Sequence, residues 1–264
     1  MIFWLLYLAT GACAGVLAGL LGVGGGIIIV PLLTFVFTAQ HLPAAYIQHL
    51  ALGTSLASIL FTSVSSLRAH HGRGAVNWPV VKLISVGILT GTFFGSWVAA
   101  QLSTNFLRIF FVIFLYYVAS QMLLNIRPQP TRQIPGKGGM FGVGNVIGGV
   151  SSLVGIGGGS LSVPFLVWCN VPMHHAVGTS AAIGFPIAVA GAAGYILNGL
   201  TVSTLPAGSF GFVYLPALAG IAVASVCTAP LGARLAHSLP VGRLKKAFGV
   251  LLLAMATKLL SSLF

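Results

Sequence analysis

The sequence predicts an all-α membrane protein built from two inverted repeats, each with a Gly-broken re-entrant helical hairpin plus three transmembrane helices. Three observations predict this fold: the composition, an internal repeat and the placement of the basic residues. Of the 264 residues, 57% are hydrophobic and 5% are charged, whereas soluble domains carry roughly 25% charged residues. A soluble fold could not hide so much apolar surface from water, so we expect an integral membrane protein in contact with the lipid bilayer.

The same landmarks occur in both halves of the chain. Residues 22–31 read GVGGGIIIVP and residues 155–164 read GIGGGSLSVP, so the small, apolar and proline positions match. A Gly-Thr-Ser element follows each of these segments, at 53–55 and again at 178–180. In membrane proteins, corresponding glycine-broken apolar segments in two halves of a chain indicate a transporter.

A third matched landmark and a linker bound the two halves. Residues 95–102 (GSWVAAQL) and 232–239 (GARLAHSL) each lead into an apolar run. Between the halves, residues 127–137 (RPQPTRQIPGK) contain three prolines and several charges, which is typical of a connecting loop. We therefore predict a first repeat at 1–126, a cytoplasmic linker at 127–137 and a second repeat at 138–264.

Apolar stretches supply the predicted helices. A helix needs about 20 apolar residues to cross a bilayer, and the chain offers at least eight such stretches. In order, they are 3–21 with 26–38, 45–67, 79–100, 106–126, 139–154 with 158–169, 175–197, 211–235 and 244–263. The first and the fifth contain the glycine-rich elements, and we interpret them as hairpins that enter and leave the membrane on one face.

The basic residues favour this hairpin interpretation. The chain has 12 Lys and Arg and no Asp or Glu. If every stretch crossed once, these residues would divide seven to five between the two faces of the membrane. With two hairpins, the following ten share one face: Arg68, Arg73, Lys82, Arg127, Arg132, Lys137, Arg234, Arg243, Lys245 and Lys246. Only Arg108 and Lys258 lie opposite, as the positive-inside rule expects. Each repeat then crosses an odd number of times, so the repeats are inverted and both termini lie outside the cytoplasm.

The lack of carboxylates excludes several classes of function within a single chain. Neither a carboxylate proton relay nor a carboxylate cation site can form. The basic residues lie between apolar stretches instead of on one face with stacking aromatics, so we expect no nucleic-acid partner. Cys13, Cys169 and Cys227 are scattered without a CxxC or Cys–His cluster, so we expect no metal and no cofactor. An enzyme would need a nucleophile with a base, or a metal cluster, and we expect no enzyme.

The glycine triplets are the first candidates for a binding site. They are Gly24, Gly25 and Gly26 in the first repeat and Gly157, Gly158 and Gly159 in the second. Glycine permits positive φ and close backbone approach. A helix that begins just after such a run presents unpaired N–H groups and a positive dipole end, which bind an anion without any charged side chain. The alternative is that these glycines only let helices pack closely, but their matched occurrence favours the binding site.

Hydroxyl and imidazole groups beside the Gly-Thr-Ser elements are further candidates. They are Thr54, Ser55, Thr179 and Ser180, with His49 and His174 four residues before each glycine. The hydroxyls can donate to an anion, or they can bond carbonyls three or four residues back in their own helix. Each His lies one helical turn from its Gly-Thr-Ser on the same face. There it would attract or donate to an anion, the alternative being an interfacial or packing role.

These motifs resemble those of the sulfite exporter TauE/SafE family. The resemblance rests on GVGGGIIIVP, GTSLA, RAHHGRGAVNW, GIGGGSLSVP and GTSAA, and it covers essentially the whole chain. It implies a membrane transporter, here of a bacterial inner membrane, for sulfite, thiosulfate or organosulfonates. One departure is Asn77, which stands where the resemblance implies an acidic residue in the loop after the second span.

The sequence as a whole predicts a small anionic substrate held between the two glycine tips, near a pseudo-twofold axis. Rocking of one repeat against the other would then expose the site to each side in turn. An anion-selective channel would share every one of these motifs and is the alternative function. A homo-oligomer is compatible with the sequence.

Overall fold

Helices begin and end where the apolar stretches meet glycine, proline or polar breaks. The computed structural model describes residues 2–22, 24–124, 129–238 and 241–262. Within these ranges the chain forms ten α-helices and one two-stranded antiparallel β-ribbon. In chain order, the elements are α1 (Ile2–Leu21), α2 (Gly26–Ala39), α3 (Ile47–His71), α4 (Trp78–Gln101), α5 (Thr104–Leu123), α6 (Lys137–Val154), α7 (Gly159–Trp168), α8 (Met173–Gly199), β1 (Ser209–Phe210), β2 (Val213–Tyr214), α9 (Leu215–Ser238) and α10 (Val241–Ser261). The predicted spans 106–126 and 244–263 and the predicted linker 127–137 extend into residues outside the described ranges.

Polar caps set the start of two of these helices. The Asn77 side chain accepts a hydrogen bond from the Val80 amide at the start of α4, where Pro79 fits the first turn. Ser103 accepts from the Phe106 amide at the start of α5. A side-chain oxygen at this position satisfies an amide that no helix carbonyl reaches.

The prediction of an all-α membrane protein is confirmed. Among the described residues, six helices are long and apolar enough to cross a bilayer, namely α1, α3, α4, α5, α8 and α9. By contrast, α2 and α7 have 14 and 10 residues. At 1.5 Å per residue they extend about 21 and 15 Å, which is less than the hydrocarbon core of about 30 Å.

Helices α3 and α8 form the centre of the molecule. In each of them 72% of the most apolar segment is buried inside the protein, against 39–44% in the other four candidate spans. They run antiparallel, because Leu56 packs against Gly191 while Ser63, further along α3, packs near Gly184, earlier in α8. Both Gly-Thr-Ser elements lie on this central pair.

Four of the other long helices, α1 with α9 and α4 with α6, pack in two parallel pairs through glycine faces. The contacts are Gly11 with Ile221 and Gly19 with Ala229 between α1 and α9, and Gly87 with Phe141 and Gly95 with Gly149 between α4 and α6. In both pairs the contact points advance together along the chain, so the two helices run in the same direction. Backbones can approach this closely because glycine has no Cβ.

Each parallel pair also flanks one central helix. Thr62 of α3 bonds Ser225 of α9. Further toward the C-terminal ends of both helices, Arg73, which follows α3, donates to the Ala233 carbonyl of α9, so these helices are parallel. Along α4 and α8, Asn77 donates to Thr179, and further along the same two helices Ser96 packs against Gly194. Hence α1, α3 and α9 share one direction, whereas α4, α6 and α8 share the opposite one.

Candidate functional site

The two glycine-rich breaks meet at the centre of the molecule. Gly24, in the break between α1 and α2, lies against Gly157, in the break between α6 and α7. Gly25 and Gly158 cap α2 and α7 with φ of 77° and 76°. This left-handed conformation strains any residue with a Cβ, which explains why glycine occupies both caps. We call residues 22 and 24–26 the first tip and residues 155–159 the second tip.

Each tip ends in the N-terminus of a short helix. In α2, the Ile28 and Ile29 amides donate to the Gly25 carbonyl, and in α7 the Leu161 amide donates to that of Gly158. The amides that precede these first bonds have no intrahelical partner. Both helix N-termini are buried in the protein. The site therefore presents two positive dipole ends in an environment from which water is largely excluded.

The Gly-Thr-Ser serines tie each tip to the opposite half of the chain. Ser55 Oγ donates to the Gly155 carbonyl at 2.7 Å, and Ser180 Oγ donates to the Gly22 carbonyl at 3.1 Å. Both serines are fully buried. The sequence alternatives for these hydroxyls were an anion or their own helix, whereas in the structure they bond the carbonyl of the other repeat's tip.

The Gly-Thr-Ser threonines have an equally matched arrangement. Thr54 Oγ1 accepts from the Tyr214 amide at 2.9 Å, and Thr179 Oγ1 accepts from the Asn77 amide at 3.0 Å. These amides lie just before α9 and α4, so each threonine supports the start of a helix from the other half. Because both hydroxyls act as acceptors here, each keeps its own proton for donation.

Carbonyls at the C-terminal ends of α1 and α6 are capped by side-chain donors. The Gly19 carbonyl accepts from His70 Nε2 at 3.0 Å, and the Ser152 carbonyl accepts from the Tyr195 hydroxyl at 3.0 Å. With the serine bonds to the tips, these donors offset the negative ends of both helices. The N-terminal ends of α2 and α7 at the tips thus lie beside carbonyl ends that already have hydrogen-bond donors.

The two candidate histidines occupy different environments. His49 is buried, and its Nε2 lies 3.2 and 3.1 Å from the carbonyls of Ala99 and Leu102. His174 is exposed and lies beside His175, with 4.1 Å between ring centroids. Because they lie in the first turns of antiparallel helices, they face opposite ends of the molecule. Each stands about 9 Å along its helix from the serine of its Gly-Thr-Ser.

A cavity of about 750 Å³ lies between the α3–α4 loop, residues 133–134 and the α7–α8 loop. Its lining includes Asn77, Cys169, Asn170 and His175. Cys169 is buried, and burial raises the pKa of its thiol, so the cavity wall there is neutral. Asn77 in its wall donates to Thr179, and the neighbouring Ser180 bonds the Gly22 carbonyl of the first tip.

The equivalent region at the other end is filled by aromatic rings. Phe212, at the turn of the β-ribbon, packs on His49 with 5.1 Å between ring centroids and on Tyr46 with 5.8 Å. Tyr195 meets the same ring edge-on. The two ends of the central helix pair therefore differ: one holds a cavity and the other a packed aromatic cluster, which we define as Tyr46, His49, Tyr195 and Phe212.

A family model described as sulfite exporter TauE/SafE matches residues 7–259. The chain belongs to this family. It is 36% identical over 256 residues to a probable membrane transporter protein of Haemophilus influenzae, a match that covers 96% of this chain and 97% of that protein. It is also 28% identical over 216 residues to the probable membrane transporter protein YunE of Bacillus subtilis, covering 74% and 79% of the two chains. No solved structure matches it significantly.

Membership of the TauE/SafE family identifies the chain as a membrane transporter, as the sequence predicted. The family and these relatives are described as transporters and not as enzymes. Among the described residues, no group of three or more His and Cys comes together to hold a metal ion. The candidate binding groups are the backbone amides and hydroxyls.

Sequence reasoning missed three serines around the second tip. They are Ser151 in α6 and Ser160 and Ser162 in α7, and all three are buried. Aligning the two repeats through their glycine triplets would have found them, because the first repeat carries only Ala18, Ile27 and Ile29 at the matching positions. The signal is a difference between the two repeats, whereas the predicted site was built from the glycines that they share.

Proposed function

We propose that this chain is a carrier of small sulfur-containing anions, such as sulfite, thiosulfate or an organosulfonate, in a bacterial inner membrane. The observation that carries the proposal is the meeting of two buried helix N-termini at the tips, while the carbonyl ends beside them are capped by donors. The description of the family as sulfite exporters supports the choice of sulfur oxyanions within this chemistry.

Neutral donors suit such a substrate. Backbone amides at a helix N-terminus bind oxyanions without the desolvation cost of a buried charged side chain. In the proposal, the substrate oxygens are held by amides of the two glycine triplets (Gly24, Gly25, Gly26, Gly157, Gly158 and Gly159). Thr54 and Thr179 donate their free hydroxyl protons, and Ser55 and Ser180 hold the tip carbonyls away from the anion. Cations are rejected because the donors present positive charge.

The histidines have supporting roles in this proposal. His174, whose ring lies against that of His175 in the cavity wall, is proposed to meet the anion before it reaches the tips. His49 fixes the α4–α5 turn through its bonds to Ala99 and Leu102. The matched positions of the two histidines then reflect an ancient duplication whose copies have diverged.

Alternating access between two inverted repeats is supported by the helix directions. In the order of the repeat, α1, α3 and α4 correspond to α6, α8 and α9, and each member of the first set runs opposite to its counterpart. The hydrogen bond from Arg73 to the Ala233 carbonyl brings Arg73 close to Arg234. Such closeness is expected if the glycine-broken stretches are hairpins, since both residues then lie on the basic, cytoplasmic face.

Access to the site is proposed to alternate between the cavity and the aromatic cluster. The cavity adjoins Gln133 and Ile134 of the linker, on the face assigned to the cytoplasm. The aromatic cluster would seal the opposite face. This arrangement corresponds to an inward-facing state, and rocking of the repeats would close the cavity and part the cluster.

Transport of anions by the purified protein in liposomes tests this proposal. We expect saturable uptake of one or more anions from a panel of sulfite, thiosulfate, sulfate and taurine, with sodium and potassium ions not carried. Empty liposomes and liposomes with an unrelated membrane protein provide the background. If no anion in the panel is taken up above this background, the proposed function is wrong.

A channel and a carrier differ in a second measurement. Uptake by a carrier accelerates when substrate is present on the opposite side, because the loaded site returns faster than the empty one. Preloading the liposomes with unlabelled thiosulfate should therefore raise the initial uptake of labelled thiosulfate. Single-channel currents in planar bilayers would favour the channel and contradict alternating access.

A further inference from the structure

The two tips are equivalent in backbone shape but differ in polarity. Next to the first tip, in α1 and α2, Ala18, Ile27 and Ile29 are buried and apolar. Next to the second tip, in α6 and α7, the corresponding residues are Ser151, Ser160 and Ser162. A site on an exact twofold axis would use both tips equally, so this difference indicates that the two tips have different tasks.

Two of these serines have no role in the fold as described. Ser151 is fully buried and Ser160 is 6% exposed, yet neither hydroxyl has a hydrogen-bond partner among the described residues. A buried hydroxyl without a partner lowers stability because its desolvation is not offset, and most buried polar groups are therefore satisfied. Two such hydroxyls beside one helix N-terminus call for an occupant that accepts hydrogen bonds.

Both hydroxyls lie at the start of α7. Ser160 is the second residue of this ten-residue helix, next to Gly159. Ser151 Oγ lies 3.7 Å from the point that a Cβ on the Gly158 cap would occupy, beside methyl groups of Ile147 and Ile187, so its hydroxyl is close to the cap. The Leu161 and Ser162 amides donate to the Gly158 carbonyl, so the earlier amides of Gly159 and Ser160 and these two hydroxyls form the set of donors without an intrahelical acceptor.

The third serine has a different task. Ser162 Oγ donates to Ser180 Oγ at 2.8 Å, and Ser180 donates onward to the Gly22 carbonyl at 3.1 Å. This chain of hydroxyls links α7 to the first tip. It leaves the protons of Ser151 and Ser160 as the side-chain donors available at the second tip.

We propose that the anion binds asymmetrically, closer to the N-terminus of α7, where Ser151 and Ser160 add side-chain donors to those of the proposed function, while the more apolar first tip contributes backbone amides without such hydroxyls. This inference rests on the proposed function, because it takes the substrate to be a small oxyanion. Pyramidal or tetrahedral oxyanions fit, since their several oxygens can accept from the amides and from both hydroxyls at once.

The test compares binding of sulfite and thiosulfate by the wild-type protein and by Ser151→Ala, Ser160→Ala and the double variant, using calorimetry on purified protein. Hydrogen bonds to a charged group are strong, so each single variant is expected to weaken binding about tenfold. Ser152→Ala is the matched control, because its hydroxyl bonds the Gly149 carbonyl of its own helix. It should bind as the wild type does.

Folding is checked on the same samples. The alanine variants remove hydroxyls without partners, so their thermal unfolding without ligand should not fall below that of wild type. Ser151→Thr and Ser160→Thr, which retain the hydroxyl, should bind more tightly than the corresponding alanine variants. If the wild type binds the anions but the alanine variants bind them equally well, the serines hold only water and the asymmetric site is wrong, while the proposed function stands. If the wild type neither binds nor transports any of the anions, both proposals fail.

Discussion

Two serines connect the halves of this protein at the level of single hydrogen bonds. Ser55 of the first repeat holds the Gly155 carbonyl, and Ser180 of the second repeat holds the Gly22 carbonyl. Each tip therefore depends on a hydroxyl supplied by the opposite half. The tips are buried and irregular, and such backbone is tolerated at membrane depth only where protein or a watery cavity satisfies it.

Removal of either serine hydroxyl should destabilise the protein. In Ser55→Ala and Ser180→Ala a buried tip carbonyl loses its donor, which costs about 1–3 kcal/mol. Ser58→Ala is the control, because Ser58 bonds the Thr54 carbonyl within its own helix, where such a bond adds little. Thermal unfolding in detergent should fall clearly for the first two variants and little for the third. Equal losses in all three would contradict the special role of the tip bonds.

The sequence identified the residues of the centre better than it identified their partners. Gly-Thr-Ser marked four hydroxyls, of which those of Ser55 and Ser180 bond the tips, but the bond from Ser55 to Gly155 joins residues 100 positions apart. No local pattern encodes such a contact. For His49 and His174 the matched spacing predicted a shared role. In the structure only His49 is buried, because the burial of each imidazole depends on which loops fold over the start of its helix. Whether these residues bind substrate stays a prediction.

Glycine faces decide how the long helices pack. Within the membrane, apolar burial gives helices little reason to associate, so close packing of small residues contributes much of the attraction. The α4–α6 contact is an instance: Gly144 of α6 lies against the Ile84 carbonyl and Gly87 of α4, so that a Cβ there would meet backbone. Gly142, two residues earlier on another face of α6, has nothing within 4 Å of its Cβ position.

These two glycines offer a matched pair of substitutions in one helix. Gly144→Ala should force α4 and α6 apart and lower the unfolding temperature in detergent. Gly142→Ala should leave the temperature unchanged or raise it slightly, since alanine favours the helix over glycine by about 1 kcal/mol. A loss of stability in Gly142→Ala as large as that in Gly144→Ala would show that helix packing is not the cause.

The elements were largely predictable, with one exception. Glycine breaks placed the ends of α1, α2, α6 and α7 within two residues, because glycine at positive φ is a strong local signal. The ribbon of β1 and β2 was missed, since its apolar residues join those of α9 in one predicted stretch, 211–235. Its turn carries Phe212, which packs on His49. The aromatic cluster therefore could not be foreseen from periodicity alone.

At the scale of the whole molecule, charge and helix direction indicate the same orientation. The positive-inside rule favoured two hairpins, and the contact between Arg73 and Ala233 brings together segments that single crossings would separate. Lys258 lies over the Phe35 ring at 5.1 Å, near the C-terminal end of α2 and away from the basic loops. In the proposed arrangement of inverted halves the two faces are similar, so we expect this charge difference to determine how the protein inserts.

Cysteine labelling distinguishes the two topologies. Arg132, Arg234 and Lys258 are exposed, and each is replaced by cysteine in a background where Cys13, Cys169 and Cys227 are alanine. With two hairpins, Arg132→Cys and Arg234→Cys should react with a membrane-impermeant maleimide only in inside-out vesicles, and Lys258→Cys only in intact spheroplasts. With single crossings, Arg132→Cys and Lys258→Cys would react from one side and Arg234→Cys from the other. The second pattern would remove the inverted repeats, and with them the physical basis for alternating access.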